Sequence, residues 1–182
     1  MRNVFKLGKS SRPVVSYSFF ETAFGEMAAA ATGKGICRVL LRSAGSHDAI
    51  VEALRADHPG LTMRKAPKAF VELRRQLEAY LRGELQVLTV PLDPAGTDFR
   101  QAVWQQTRLI PYGSTITYGD LACRLGQGRS ASRAVGNALG ANPLPILIPC
   151  HRVLGSDGRL TGYSGGLAIK TRLLSIEGAL LL

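Results

Sequence analysis

Cysteine is scarce in this 182-residue chain, and the three present do not cluster. Cys37, Cys123 and Cys150 are odd in number and widely spaced, which excludes a secreted disulfide framework and places the chain in a reducing, cytoplasmic setting. Neither His47 nor His58 stands at a CxxC or HxxxH spacing with them, so no metal is expected. No cofactor-binding motif is present, and no cofactor is expected. Acids are few as well, 13 against 23 lysines and arginines, for a net charge of +10. That excess suggests a polyanionic partner. It does not locate the contact, because residues 1–96 carry 14 basic and 9 acidic side chains and residues 97–182 carry 9 and 4. No apolar run is long enough to span a bilayer, so no membrane association is expected. Met1–Arg12 holds Arg2, Lys6, Lys9 and Arg12 with no acid and no apolar core after it, which reads as a basic tail and not a signal peptide. Repeats and low-complexity linkers are absent.

What is there is enough for a core: 46% of residues are hydrophobic and 20% charged, outside the disordered range. Val14–Phe20 is rich in β-branched and aromatic residues. Glu26–Ala31 and Ile36–Leu41 flank Thr32-Gly33-Lys34-Gly35, a hairpin turn. Ser46 caps a short helix through Ala56, stopped by Pro59-Gly60. Pro67–Arg82 is a stronger helix, with Phe70, Leu73, Leu77, Tyr80 and Leu81 on one face and Gly83 at its C-terminal end. Val87–Leu92 reads as an edge strand, because Pro91 cannot donate to a central ladder. Residues 1–92 therefore form a small α/β domain, a sheet with helices, behind the basic tail.

From Thr97 the pattern turns helical. Thr97 caps a helix carrying Phe99, Val103 and Trp104, which ends at Ile110-Pro111-Tyr112-Gly113. Thr117 caps Tyr118–Leu125, Gly126–Arg129 turns, and Ser130 caps Ala131–Ala141, ended by Asn142-Pro143. Two short helices about a glycine-bearing turn match a helix-turn-helix, although many such pairs never touch DNA. Ala131, Ala134, Gly136, Ala138, Gly140 and Ala141 make the second helix slim, with Arg133 near its N-terminus, suited to close approach to another helix or to a nucleic-acid backbone. Residues 97–182 form a mainly α domain, and the chain is expected to be a monomer.

The most informative stretch is Ile146-Leu147-Ile148-Pro149-Cys150-His151-Arg152-Val153. Proline fixes its own φ and pushes Ile148 toward extended geometry, so the cysteine backbone is held rigidly. Cationic neighbours lower a thiol pKa and favour a reactive thiolate; the plainer alternative is a small buried hydrophobe. Gly162-Tyr163-Ser164-Gly165-Gly166 is either a base-sized pocket wall or a long connection. A last helix, Leu167–Ile176, brings Glu177 to its C-terminal end, where a carboxylate opposes the helix dipole and needs a partner. His151 is one candidate. Thiol activation calls for a nucleophile, a base and an orienting acid. Adjacent Cys150 and His151 could be joined by one water if their side chains diverge.

Ile148–Val153 resembles the signature of the O6-alkylguanine-DNA alkyltransferases, the methylated-DNA–protein-cysteine methyltransferases. The resemblance runs through Phe99–Gly178 and includes Val103-Trp104, Ile110–Gly113, Thr117-Tyr118, Arg133–Gly136, Asn142-Pro143, Gly162–Gly166 and Glu177-Gly178. Residues 1–92 resemble the family only loosely, through Gly33–Cys37 and Pro91–Asp93. The family implies direct-reversal DNA repair, with the helix-turn-helix in the minor groove of double-stranded DNA and the damaged guanine flipped out. Cys150 would then take the alkyl group from guanine O6, or from O4-alkylthymine. His151 would act through a water as its base, with Glu177 on His151. Tyr118 would donate toward guanine N3 and Arg133 fill the vacated stack. Asn142 would brace the turn before the cysteine. Pro145, Val153, Tyr163 and Ser164 would line the pocket, and Ser130, Ala134 and Tyr118 would join Arg133 at the DNA. Some relatives carry a basic residue where this chain has Gly140 or Ala141. Two other readings stay open: a regulatory DNA binder with a dispensable thiol, and a thiol hydrolase.

Overall fold

A computed structural model of the chain describes residues 14–41 and 46–180. The basic stretch Met1–Arg12 lies outside the described residues. The chain divides into two compact units, Met1–Glu78 with Thr89–Pro94, and Ala79–Leu88 with Ala95–Leu182.

The first unit is a four-stranded mixed sheet. Strands β1 (Val14–Thr22), β2 (Gly25–Ala31) and β3 (Ile36–Leu40) form an antiparallel meander, and β4 (Thr62–Lys65) lies parallel to β1, giving the order β3-β2-β1-β4. The turn into β3 is fastened by Thr32, whose amide donates to Gly35 O and whose hydroxyl donates to Asp93 at 2.6 Å. Helix α1 (His47–Asp57) makes the parallel return from β3 to β4. Ser46 caps it, its Oγ accepting from the Ala49 amide. Ile50 and Leu54 of α1 pack with Val15, Ala28, Ala30 and Cys37 from the sheet, so the alternation of β2 and the helical spacing of α1 meet in one core.

The long helix expected over Pro67–Arg82 is two elements, a 3₁₀ turn at Pro67–Phe70 and then α2 (Val71–Leu81). Gly83 ends it as expected, at φ 75°, with Glu84 N donating back to Ala79 O. The edge strand expected at Val87–Leu92 does not form. Only Leu92 bridges to Ile36: the Ile36 amide donates to Pro91 O and the Asp93 amide to Ile36 O. Gly35 makes that crossing possible, since a Cβ there would stand 2.5 Å from Pro91 O.

The second unit holds α3 (Asp98–Arg108), β5 (Ile116–Thr117), α4 (Tyr118–Arg124), α5 (Ser132–Gly140), β6 (Val153–Leu154) and α6 (Leu167–Ile176). Thr97 caps α3, and Thr117 caps α4 in a capping box with Asp120. Helix α5 packs against both α3 and α4, and the buried Trp104 indole of α3 donates to Ala138 O of α5 at 2.9 Å. Gly96 leaves room for that indole, as a Cβ would meet its ring at 2.6 Å.

The start of α5 differs from the sequence expectation. Ser130 is not its cap: Arg129–Ala131 form a 3₁₀ turn, and α5 begins at Ser132 after Ala131, with no side-chain cap bond. The turn is held instead by the Ser132 hydroxyl on Arg129 O and by Arg129 on Asp120 at 2.8 Å. Part of the slimness of α5 is internal packing, because Gly136 faces the Tyr118 ring, where a Cβ would make 3.7 Å contact.

Candidate active site

The second unit brings the cysteine segment, the end of α6 and the end of α2 to one buried place. After α5, Asn142 opens the segment. Its Oδ1 accepts from Leu144 N at 2.9 Å, and its Nδ2 donates to Ile148 O at 3.0 Å and to Cys150 Sγ at 3.1 Å. Ile146 is held at φ 73°, a strained conformation for a β-branched residue, and the Ile148 amide closes the loop on Leu144 O. After Pro149, residues Cys150–Arg152 make a single 3₁₀ turn.

From that turn Cys150 meets Asn142, while His151 and Arg152 both reach Glu177. His151 Nε2 lies 2.6 Å from Glu177 Oε1. Arg152 grips the same carboxylate, Nε to Oε2 at 2.8 Å and Nη2 to Oε1 at 3.1 Å, and gives Nη1 to Ile110 O at 2.6 Å. The Tyr80 hydroxyl donates to Oε1 and the Gly113 amide to Oε2. Gly113 has φ 74°, and a Cβ on it would press Glu177 O at 2.9 Å. The unfavourable dipole position of Glu177 is thus outweighed by five donors around one buried carboxylate. Burial alone would raise the Glu177 carboxyl, but His151, Arg152 and Tyr80 together bring it down to about 2.

The cationic surroundings expected for the cysteine need correction. Arg152 is neutralised by Glu177. Burial lowers the His151 pKa against the pull of Glu177, so the ring is neutral at rest. Burial also pushes the Cys150 thiol up, and the Asn142 bond and the charge of Lys170 only partly offset it. The resting group is a thiol. With Nε2 on the carboxylate, the basic lone pair of His151 falls at Nδ1, which is buried and has no protein partner. The Tyr163 hydroxyl is buried without a protein partner too, its ring edge-on to His151 at 6.3 Å.

The other residues singled out from sequence are dispersed around this centre. Pro145 and Val153 are buried, whereas Ser164 is exposed. Tyr118 and Arg133 line a groove of about 800 Å³ along α4 and α5, with Gly136, Asn137 and Thr161. The Thr161 hydroxyl donates to Tyr118 OH at 3.2 Å. Ser130 and Ala134 are exposed beside that groove and are not among its lining.

Two buried residues carry no motif. Tyr80 sits in sequence as one more apolar position of a helix face, and only the need of a buried hydroxyl for a partner hints at more. Lys170 interrupts the apolar stripe of α6. It is fully buried and donates to Val153 O at 2.7 Å and Thr161 O at 2.9 Å. Among the described residues, no cluster of His, Cys, Asp or Glu is arranged to hold a metal, and no helix is long and apolar enough to cross a membrane.

A small mixed sheet followed by a helix-turn-helix unit, with a Cys-His-Glu centre behind the second helix, defines a thiol-bearing protein of the alkyl-transfer class. Residues 98–179 match the 6-O-methylguanine DNA methyltransferase DNA-binding domain, and residues 15–94 match the ribonuclease-like domain of the same proteins. The chain belongs to the O6-methylguanine-DNA methyltransferase family, the methylated-DNA–protein-cysteine methyltransferases. It is 53% identical over 110 residues to the methylated-DNA–protein-cysteine methyltransferase of Methanosarcina acetivorans, covering 60% of this chain and 70% of that one. The Mycobacterium tuberculosis protein of the same name is 50% identical over 111 residues, covering 61% and 67%. Among solved structures, that of M. tuberculosis OGT in complex with DNA superposes with a TM-score of 0.77 at 38% identity, covering 90% of this chain and 93% of that one. The O6-methylguanine-DNA methyltransferase of Pyrococcus kodakaraensis gives 0.63 at 28% identity, covering 91% and 99%.

Proposed function

We propose that this chain repairs O6-alkylguanine in double-stranded DNA by taking the alkyl group onto Cys150, once and irreversibly. The observation that carries the reading is the buried thiol at the head of a Cys-His-Glu set, directly after the helix-turn-helix. Family membership supplies the substrate: relatives are methylated-DNA–protein-cysteine methyltransferases, and the M. tuberculosis neighbour is complexed with DNA.

Helix α5 enters the minor groove with Arg133 and Ala134 toward the DNA, together with Ser130 of the turn before it. Arg133 fills the stack left by the extruded base. Tyr118, on the groove between helix and loop, crowds the backbone and faces guanine N3. The flipped base enters between the Val153 segment and the Tyr163-Ser164 loop, with Pro145 at its wall and Ser164 near O6.

The thiol proton passes through one water to Nδ1 of His151, and the imidazolium so formed keeps its hydrogen bond from Nε2 to Glu177. The thiolate attacks the alkyl carbon. A sulfur–carbon bond forms, the carbon–O6 bond breaks, and its electron pair stays on the guanine. Tyr118 gives a proton toward N3 and recovers one from solvent as guanine forms, while His151 returns the thiol proton to solvent, so the proton lost by sulfur matches the one gained by guanine. Asn142 holds Sγ in line and places its own donor where negative charge collects on sulfur. The protein acts as a monomer.

Incubation with a duplex containing O6-methylguanine, followed by mass spectrometry of the cysteine peptides, tests this. Added methyl is expected on Cys150 alone, and tight binding of the duplex without methylation would leave a non-enzymatic DNA binder instead.

A further inference from the structure

Thr161 has no part in the reaction as described, yet its side chain is held in one orientation although the residue is exposed. Its carbonyl accepts from the buried Lys170 ammonium at 2.9 Å. Its Cγ2 methyl turns toward Gly155, where a Cβ would stand 3.5 Å from it. Its hydroxyl faces the other way and donates to Tyr118 OH at 3.2 Å. A β-branched side chain has few χ1 options, so the anchored carbonyl and the methyl contact together aim the hydroxyl.

Tyr118 is held from its own side. Strands β5 and β6 run parallel, with Ile116 beside Val153 and Thr117 beside Leu154, so Tyr118 and the loop after Leu154 leave the pair as neighbours. Gly136 of α5 lies against the Tyr118 ring, where a Cβ would make 3.7 Å contact. Among the described residues, Thr161 is the hydrogen-bond partner of the Tyr118 hydroxyl.

A hydroxyl that donates to a phenol oxygen occupies a lone pair there and leaves the phenol's own proton free for another acceptor. That is the sense required for donation toward guanine N3. In that step the Tyr118 O–H bond breaks, an N3–H bond forms, and the electron pair stays on the Tyr118 oxygen. The bond from Thr161 then becomes charge-assisted and stronger than the neutral one it replaces. An interaction that strengthens as charge develops lowers the barrier, where one of constant strength would not.

We propose that Thr161 is a positioning residue for Tyr118: it aims the phenol proton at guanine N3 and holds the phenolate oxygen until solvent returns a proton. The inference rests on Tyr118 being the proton donor in the alkyl transfer proposed above. It gives the leaving-group side of the reaction, which the Cys-His-Glu relay does not reach, a support of its own in the loop after β6.

Single-turnover transfer by the full chain is measured on two duplexes, one carrying O6-methylguanine and one carrying its 3-deaza analogue, whose C–H in place of N3 accepts no proton. Thr161→Val keeps the shape and removes the hydroxyl. It is expected to slow transfer from O6-methylguanine about tenfold, the order of one hydrogen bond to developing charge, and to leave transfer from the 3-deaza duplex unchanged. Thr161→Ser keeps the hydroxyl and should recover most of the rate. Equal losses on both duplexes, no loss on either, or a loss that Thr161→Ser leaves in full overturns the proposal. Tyr118→Phe, which keeps the ring, separates this from the reading beneath it, with a loss confined to O6-methylguanine expected. If Tyr118→Phe slows both duplexes alike or neither, Tyr118 is not the donor and the proposed mechanism fails at that step. A selective loss in Tyr118→Phe with none in Thr161→Val refutes the role of Thr161 alone.

Discussion

Asn142 Nδ2 stands 3.1 Å from Cys150 Sγ and 3.0 Å from Ile148 O, so one amide both braces the loop before the cysteine and touches the sulfur. Eight residues apart, the two are joined by a strained loop in which Ile146 has positive φ. A change at the sulfur therefore has a direct route to the end of α5.

Asn142→Ala removes the donor to sulfur and leaves Leu144 N and Ile148 O without their side-chain partner. Stability should fall by about 1–3 kcal/mol, the usual penalty for unsatisfied buried polar groups. The thiol should become harder to ionise. Denaturant unfolding and the pH dependence of Cys150 alkylation read the two effects separately, and an unshifted thiol profile would deny Asn142 its role at the sulfur.

Glu177→Gln strands the buried Arg152 and should destabilise the chain by roughly 3–5 kcal/mol at neutral pH. In the wild type the folded carboxyl is depressed to about 2 from 4.5, so its contribution is complete above about 4.5 and drains away as pH falls toward 2. His151, also depressed when folded, adds stability above its ordinary 6.5 that is lost as pH falls below it. Denaturant midpoints measured down the acid range should drop for wild type and lose the lower segment of that slope in Glu177→Gln.

His151 and Glu177 should act on the reaction as one unit. Either His151→Ala or Glu177→Gln alone should remove most of what the pair contributes. If the double variant loses the product of the two single losses in transfer rate, the two groups are independent.

Arg133→Ala should slow repair in duplex DNA while hardly changing reaction with free O6-benzylguanine, which needs no base extrusion. The exposed position of Arg133 in the groove with Tyr118 motivates this split. Equal loss on both substrates would place Arg133 elsewhere in the mechanism.

Product should stop at one equivalent per Cys150, because a thioether is a poor leaving group and nothing in the centre removes it. The added alkyl enters a packed site, where overpacking costs about 1–3 kcal/mol. Methylated protein should melt lower and hold duplex more weakly, through the Asn142 link to α5. Turnover beyond one equivalent, measured by product release over long incubation, would show a catalyst.

Much of this was written locally. Caps at Ser46, Thr97 and Thr117, the stop at Gly83 and the spans of α1, α3 and α6 follow from side chains acting within a few residues, and the motif around Cys150 names the family. Tertiary structure decided the rest. Val87–Leu92 has strand residues but finds only one pairing position, at Ile36, and Ser130 does not cap α5 because a 3₁₀ turn takes up the residues before it. The electrostatic surroundings of Cys150 differ from the sequence expectation for a similar reason. In sequence Cys150 has an imidazole and a guanidinium beside it. In the fold Arg152 turns to Glu177 and burial neutralises His151, so neither neighbour leaves a free positive charge beside the sulfur. Sequence determines which groups a chain owns and its short-range geometry. Which charges survive burial depends on who meets whom in a medium of low dielectric, and only the packed structure settles that.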